Sequence, residues 1–594
     1  MPNGSSSWHS GTSLREWRLH NFKSVRDATV PLLPLTVIVG ENSAGKSTLL
    51  QSIRMAAQAA QARGSVFPLN GEQMRLGTYS ETVSAGASED AGAFIGIGGS
   101  FHFESQPGVR PPAAPFRYGT VNARRRRSGE LHDGQLTWDI RLGGSAPGQP
   151  GQTMLLGSSA EATWVGHTQT SIRSTLPGGG RAPSDGNYSG VAEDGDSDHV
   201  LVGVSHAGGF PVAALVETDL VSSLTDAWYV AAQRAQVLIS RVRQTDDNDG
   251  SPQPSDLPLA AMIAEDINLL LSDIGDDVAA LPAWERRLTQ MLVDRLSDRG
   301  EQLYRSMRSE VVSDEDVRSI VGARGTAKRT LPLPETLLSA LDESREFLAS
   351  KVFHLGPLRM DPQVVYTSAP VGQQGFVGTK GEYCVAVLQS QGPSLVDVPM
   401  PRGSTGHNMR NVPLTRAVDA WAADLGIGDA FTTADRGRLG LELAVRQPNV
   451  NMPLDLTSVG TGVSQLLPVL VMCLTAPKGS LLLIEQPELH LNPAVQQRLA
   501  DFLLAVSASG RQLVIETHSE YLVGRLRRRV AEQPGDVQDL VGLMYVERVE
   551  GASRYESIRP ASDGSLPRWP RGFFDQAAQD TEAMLRASMG ADRS

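Results

Sequence analysis

Eight consecutive residues, Gly40-Glu41-Asn42-Ser43-Ala44-Gly45-Lys46-Ser47, followed by Thr48, have the types and spacing of a loop that cradles phosphates. The two glycines let the backbone curl so that successive N–H groups turn inward around an anion. Lys46 can reach β- and γ-phosphates, and the Ser47 hydroxyl can bind Mg²⁺. Such a loop works only between a buried strand and a helix whose N-terminal dipole adds to the positive field. Leu35–Val39 is an apolar, β-branched run, and Ser47 to Ala62 puts Leu49, Leu50, Ile53 and Ala56 on one helical face. The expected ligands are therefore ATP and Mg²⁺, held by residues 40–48.

A magnesium nucleotide also needs an acid at the end of a neighbouring strand. The segment LLLIEQPELHLNP (481–493) supplies four apolar residues and then Glu485, which is expected to share the metal with Ser47. The next apolar run, QLVIETHSEYL (512–522), leads into His518; a lone histidine is usually structural, but this one directly follows a buried strand, where its ring is expected to reach a γ-phosphate. Between them LTSVGTGVSQLLPVLV (456–471) is a Ser/Gly turn entering an apolar helix. Its Ser458, Gly460 and Gly462 could grip a second set of phosphates.

These motifs require α/β elements at both ends of a chain of 594 residues, a length that corresponds to about four domain-sized units. The predicted organisation is a disordered leader over 1–13 and an N-terminal ATPase part over 14–84. A β-rich lobe over 85–235 and a helical insertion over 236–350 follow. A C-terminal ATPase part over 351–560 and a tail over 561–594 complete it. Short alternating runs (Gln135–Arg141, Val200–Val204) mark the lobe, and Pro177–Ser197 reads as disordered. Helical spacing over Ile263–Ile274 and Trp284–Val311 marks the insertion.

The chain has 40% hydrophobic residues, enough for a sizeable core, and 59 glycines and 36 prolines, which predict long loops. A net charge of −12 argues against a surface devoted to nucleic acid. Two clusters run against that average: Arg124–Arg127, and Arg525, Arg527, Arg528 and Arg529. Each reads either as a phosphate contact or as a solvated face. Cys384 and Cys473 lie far apart without nearby ligands, so neither a disulfide framework nor a zinc site is expected. The polar N-terminus and the brevity of the apolar run Leu466–Ala476 predict a cytoplasmic protein without a membrane anchor.

Taken in order, the stretch Leu19–Ser24, GENSAGKST, HLGPLR (354–359), SVGTGVSQ, IEQPELHLNP, ETHSEYL and SLPRWPRGFFDQ (565–576) resemble the landmarks of OLD-like AAA ATPases. These belong to the ABC/SMC-type branch of P-loop ATPases, and PtuA-type phage-defence proteins are relatives. The resemblance spans 14–80 and 350–576 and implies an α/β ABC/SMC-type head with a mixed sheet, a β-rich lobe and a helical insertion. It implies that Gly40–Thr48 is the Walker A loop and Glu485 the Walker B acid. Ser458, Gly460 and Gly462 would be the signature contacting ATP on a second protomer, Leu489–Pro493 the D-loop and His518 the switch histidine. A head-to-head dimer or higher oligomer follows from that resemblance.

One departure bears on catalysis. Many such ATPases carry a glutamate after the Walker B acid; this chain has Gln486, which can orient water but cannot take its proton. Glu488 is the nearest carboxylate, so a slow or ligand-gated ATPase is expected. The stretch after His518 is also too short for the Toprim nuclease domain of OLD nucleases. The resemblance thus implies a dimeric ATP-gated sensor or clamp that controls a separate effector, such as a nuclease, in anti-phage defence, with DNA or RNA as a candidate trigger. Two alternatives stand beside it: a DNA-repair or chromosome-handling ATPase of the SMC/RecF kind, and a slow nucleotide-switched assembly scaffold.

Overall fold

Short runs of Leu, Ile and Val with both faces buried build the central sheet of the computed structural model. The structure describes residues 11–104, 133–175, 200–232, 258–274, 312–367, 375–567 and 580–586, with short gaps inside several stretches and an isolated pair at 290–291. The N-terminal half contributes strands β1 (Gly11–Phe22), β2 (Val25–Pro31) and β3 (Leu35–Gly40), helix α1 (Lys46–Ala60) and β4 (Val66–Pro68). Next come β5 (Ile95–Glu104), β6 (Gly134–Ala146), β7 (Gln149–Trp164), β8 (Thr170–Thr175), β9 (Val200–Ala207) and β10 (Phe210–Asp219). Helices α2 (Leu259–Ile274) and α3 (Asp314–Val321) precede β11 (Thr326–Pro332), α4 (Glu335–Ser350) and β12 (Val352–Leu355).

The C-terminal half holds α5 (Cys384–Gln391), β13 (Leu395–Arg402), β14 (Gly406–Pro413), α6 (Leu414–Leu425), β15 (Ala430–Asp435), β16 (Leu441–Arg446) and β17 (Leu454–Asp455). It ends with α7 (Thr461–Thr475), β18 (Leu481–Glu485), α8 (Pro493–Ala508), β19 (Gln512–Glu516), α9 (Glu520–Glu532), β20 (Val541–Val549) and β21 (Ala552–Ile558).

The central sheet has the order β12-β18-β19-β3-β20-β21, parallel from β12 through β20, with β21 antiparallel at the edge. Parallel pairing demands a crossover, and α8 and α9 provide those between β18 and β19 and between β19 and β20. Side chains alternate between two cores. Leu482, Ile484, Leu513, Ile515 and Leu543 enter the core shared with α5–α9. Leu481, Leu483, Val514 and Met544 enter the opposite one, together with Leu49, Leu50, Ile53 and Ala56 of α1. Burial on both faces is why these strands read as unbroken apolar runs.

The second core is roofed by an antiparallel sheet of order β2-β1-β5-β6-β7-β4, with β8 paired to β7. Residues 95–175 therefore continue the sheet begun by β1 and β2, rather than forming a lobe detached from the N-terminal part. Trp17 on β1 donates its indole N–H to Ser52 Oγ of α1 at 2.9 Å and packs at 6.4 Å against Trp138 of β6. These contacts tie the roof to the helix behind the phosphate loop.

Two further sequence expectations change. Gly11–Ser13 belong to β1, where they pair with His102–Glu104, although they fall inside the stretch read as a leader. Thr326–Pro332, inside the predicted helical insertion, is a strand paired to β10; its Thr-rich alternation was outweighed by the helical spacing around it. The helices of that region do form a core of their own, from Leu220 to Ala232, α2 and α3, around Trp228. Cys384 and Cys473 are both free and buried. Pro177–Ser197, most of Trp284–Val311 and Arg124–Arg127 lie outside the described residues. No helix among the described residues is long and apolar enough to cross a membrane.

Candidate nucleotide site

The carboxyl ends of three adjacent parallel strands meet at one edge of the central sheet. Glu485 ends β18, Glu516 pairs with it at the end of β19, and β3 ends beside them at Gly40. In open α/β sheets ligands bind beyond the carboxyl ends of the strands.

Gly40 and Gly45 hold φ of +143° and +104°, and each lacks room for a side chain. A Cβ on Gly40 would stand 2.0 Å from the Val546 carbonyl oxygen of β20, and one on Gly45 would stand 2.2 Å from Ser553 Oγ. The loop is braced from behind by β21. Ser553 donates its hydroxyl to the Ala44 carbonyl at 2.5 Å, and Tyr555 donates to the Gly45 carbonyl at 2.6 Å. Glu41, Asn42 and Ser43 are exposed at the loop's crest, Ser43 with φ +60°. Ala44 and Thr48 are buried at its base.

Helix α1 begins at Lys46 with no side-chain cap at Gly45, which leaves its N-terminus facing the loop. Lys46 Nζ donates to the Gly40 carbonyl at 3.1 Å and to that of Glu41, and burial lowers its pKa.

The acids around this loop are arranged differently from the sequence expectation. Ser47 Oγ donates to Glu516 Oε2 at 2.7 Å, not to Glu485. Glu485 Oε1 instead meets His354 Nε2 of β12 at 2.7 Å. Burial pushes Glu516 up to about 7; Glu485 and Glu488 add to the rise, against the Ser47 hydrogen bond and the Lys46 charge. Burial likewise lowers His354. Both carboxylates are buried, with Glu516 only 4% exposed.

Arg359 fixes the end of the Walker B strand. Its two terminal nitrogens donate to the Glu485 carbonyl at 2.9 Å and the Gln486 carbonyl at 3.0 Å. The Gln486 N–H donates to the Glu516 carbonyl at 2.7 Å. Gln486 is thereby held at φ +45°, a conformation that non-glycine residues adopt rarely and that marks functional sites. Glu488 Oε1 accepts the His518 N–H at 2.7 Å, and burial raises its carboxyl. His518 is exposed beyond β19, where partial burial and the Lys46 charge lower its pKa.

The two following helices are capped to hold these loops. Asn492 accepts the Val495 N–H at the start of α8, and Ser519 accepts the Leu522 N–H at the start of α9. The signature segment lies apart. Asp455 accepts the N–H groups of Thr457 and Ser458, and Ser458, Gly460 and Thr461 are exposed where α7 begins. A Cβ on Gly462 would lie 3.2 Å from the His490 carbonyl, so the signature turn packs on the D-loop. Neither Ser458, Gly460 nor Gly462 bonds to the phosphate loop of the same chain among the described residues.

Around Ser47 the donors suit a hard cation. Mg²⁺ keeps several waters and takes one or two carboxylates plus substrate phosphates, rather than a full protein cage. One hydroxyl with Glu516 on it, and Glu485 at the adjoining strand end, fit that requirement. No cluster of three or more His, Cys, Asp or Glu in metal-holding geometry occurs among the described residues.

Sequence reasoning missed His354, Arg359, Glu516, Ser553 and Tyr555. The HLGPLR stretch and the strand end at Glu516 were visible signals; Ser553 and Tyr555 had none. The basic cluster on α9 is neither a free grip nor simply a solvated face: it is largely taken up by contacts within the chain, with Arg529 buried. Arg525 forks onto Asp501 at 3.0 and 2.7 Å, Arg529 lies between Asp501 and Glu532, Arg528 meets Glu532, and Arg527 donates to the Gly564 carbonyl.

Comparisons with known proteins fall on the same elements. Residues 13–78 match the family model described as "AAA ATPase domain", and residues 445–524 match "AAA domain, putative AbiEii toxin, Type IV TA system". Residues 538–584, which include β20 and β21, match a protein family of unknown function, DUF3696. No curated protein matches the chain. Among solved structures it is similar to the Smc head domain with an extended coiled coil, bound to the C-terminal domain of ScpA, from Pyrococcus furiosus. That pair shares 12% identity over 96% of this chain and 99% of the other, with a TM-score of 0.34. It is also similar to the SMC head domain from Thermotoga maritima, at 10% identity over 91% and 98% of the chains and a TM-score of 0.31. The two AAA matches cover the phosphate-loop half and the signature-to-switch half of the site. Residues 13–78 and 445–524 thus match AAA-type ATPase domains, on either side of an α/β sheet that carries the phosphate-loop sequence.

Proposed function

We propose that this protein is a dimeric, ATP-gated sensor or clamp that controls a separate effector, in bacterial defence against phage. The observation that carries the dimer is the signature turn: Ser458, Gly460 and Thr461 are exposed at the uncapped start of α7 and serve no site in their own chain. Such a helix N-terminus suits the γ-phosphate of a nucleotide held by a second head. The toxin–antitoxin description of the family matching 445–524 agrees with control of a paired effector, as does the resemblance to OLD-like ATPases.

In this reading the loop amides and Lys46 bind the phosphates; Ser47, Glu485 and Glu516 would hold Mg²⁺, which when bound would supply charge neutralisation at the phosphates. Gln486 orients the attacking water by its amide and leaves the proton to Glu488, which the His518 N–H keeps in place. His518 donates a ring N–H toward the γ-phosphate. Catalysis of phosphoryl transfer rests on such positioning and on charge stabilisation. Turnover is slow because the residue nearest the water is an amide, and it rises when the partner head or a trigger completes the site.

Light scattering on eluting protein with and without Mg²⁺-ATP tests the reading. ATP should shift the chain to a dimer or larger oligomer, and Ser458→Arg should block the shift while leaving ATP binding intact. An ATP-insensitive size in the wild type, with ATP bound, would refute the gated dimer.

A further inference from the structure

The hairpin β13–β14 and the first turn of α6 bring three arginines to one concavity that takes no part in the nucleotide site. Strand pairing sets Val396 opposite Val412, Val398 opposite Arg410, Met400 opposite Asn408 and Arg402 opposite Gly406. Cross-strand partners share a face, so Arg402 and Arg410 rise from the face whose base is the buried Val396, Val398 and Val412. Arg416, in the first turn of α6, joins them. With Met400, Pro401, Asn408 and Val412 they line an open hollow of about 260 Å³.

The charge in this hollow is not neutralised. None of Arg402, Arg410 and Arg416 makes an ion pair or hydrogen bond among the described residues. Some arginines elsewhere are paired: Arg18 with Asp139, Arg436 with Glu442, Arg525 and Arg529 with Asp501. Acids on the same elements are spent elsewhere. Asp397 projects from the opposite hairpin face and pairs with Lys478 at 2.6 Å, and Asp419 accepts the Phe431 N–H at 2.8 Å. In a chain with 66 acidic and 54 basic residues, three unpaired guanidinium groups in one acid-free hollow are not the default. Arg416 also stands at the positive end of a helix, where a cation is disfavoured unless an anion joins it.

We infer that this arginine hollow binds the phosphodiester backbone of a nucleic acid. Guanidinium forks match phosphate oxygens bidentately and remain charged at any working pH. The lining offers no aromatic side chain for a base to stack on, so recognition would be of backbone and independent of sequence. The inference needs neither the dimer nor the defence role proposed above.

The test is fluorescence anisotropy of a labelled 30-base-pair DNA duplex, and of a single-stranded RNA of the same length, against the full chain at several salt concentrations. Arg402→Gln/Arg410→Gln/Arg416→Gln should weaken binding at least tenfold at low salt. Because each phosphate contact adds about 0.9 to the slope of log K against log salt on duplex DNA, the slope should fall by about 2–3. Mg²⁺-ATP binding by the triple variant should match the wild type, which shows that the fold is intact. Equal affinity and equal slope for variant and wild type would overturn the inference, as would absence of any binding by the wild type at low salt. Calorimetry with inorganic phosphate distinguishes the other source of the same chemistry. Phosphate binding that the triple variant loses, with nucleic-acid binding unchanged, would overturn the backbone assignment.

Discussion

Replacing Glu516 by glutamine should stabilise the nucleotide-free protein at alkaline pH and leave its stability nearly unchanged at acid pH. Buried beside Glu485 and Glu488, Glu516 has its pKa pushed from 4.5 to about 7. For a carboxyl raised in this way, the favourable contribution is complete below the unfolded value of 4.5. It is lost as pH rises through 7, because the folded chain must then ionise a group it holds better neutral. A rise of that size, at 1.36 kcal/mol per pKa unit, corresponds to about 3 kcal/mol at pH 8.5. Glutamine has the shape of the neutral acid and can still accept the Ser47 hydroxyl, so the variant escapes the penalty without losing the contact. With about 2–4 °C of melting temperature per kcal/mol for a domain of this kind, Glu516→Gln should melt several degrees above wild type at pH 8.5. Near pH 5 the difference should shrink to about 1 kcal/mol, a few degrees at most. The assay is thermal unfolding by intrinsic fluorescence, in EDTA without nucleotide, from pH 5 to 8.5. A melting difference that does not change with pH would refute the reasoning.

Two further perturbations probe the loop and the acids. Gly40→Ala places a methyl group 2.0 Å from the Val546 carbonyl, at φ +143°. Backbone strain alone costs roughly 1–3 kcal/mol, and β20 must also move; lower melting temperature and lost ATP binding are expected, and unchanged values of both would contradict the packing. Glu488→Gln should lower steady-state phosphate release by 10²–10⁴-fold, the usual scale for a general base, while nucleotide affinity is kept. Equal turnover would exclude Glu488 as the proton acceptor.

How much of this was legible in the sequence depends on how local each constraint is. Residues 40–48 could be read because the backbone geometry, the lysine and the hydroxyl must all lie within one turn of chain. Glu485, His518 and the Ser458–Gly462 turn stood out as candidates because each directly follows, or directly leads into, an apolar run. His354, Arg359, Ser553 and Tyr555 are common residue types whose importance comes from strands brought alongside by the fold, β12 beside β18 and β21 behind the loop. No pattern within their own segments reports that neighbourhood. Glu516 was visible as the end of a strand, but its bond to Ser47 depends on β19 lying between β18 and β3. The α9 arginines show the converse. Their spacing suggested a phosphate grip, yet Asp501, one helix earlier, takes two of them.

The central claim is that residues 40–48, with the strand-end acids, form a working ATP site. Phosphate release with Mg²⁺-ATP, wild type against Lys46→Ala, tests it most directly. The account predicts slow but measurable release by wild type and none above background for Lys46→Ala, whose melting temperature without nucleotide stays near that of wild type. Equal release by the two proteins, or none by a wild type shown to have dimerised on ATP, would contradict it.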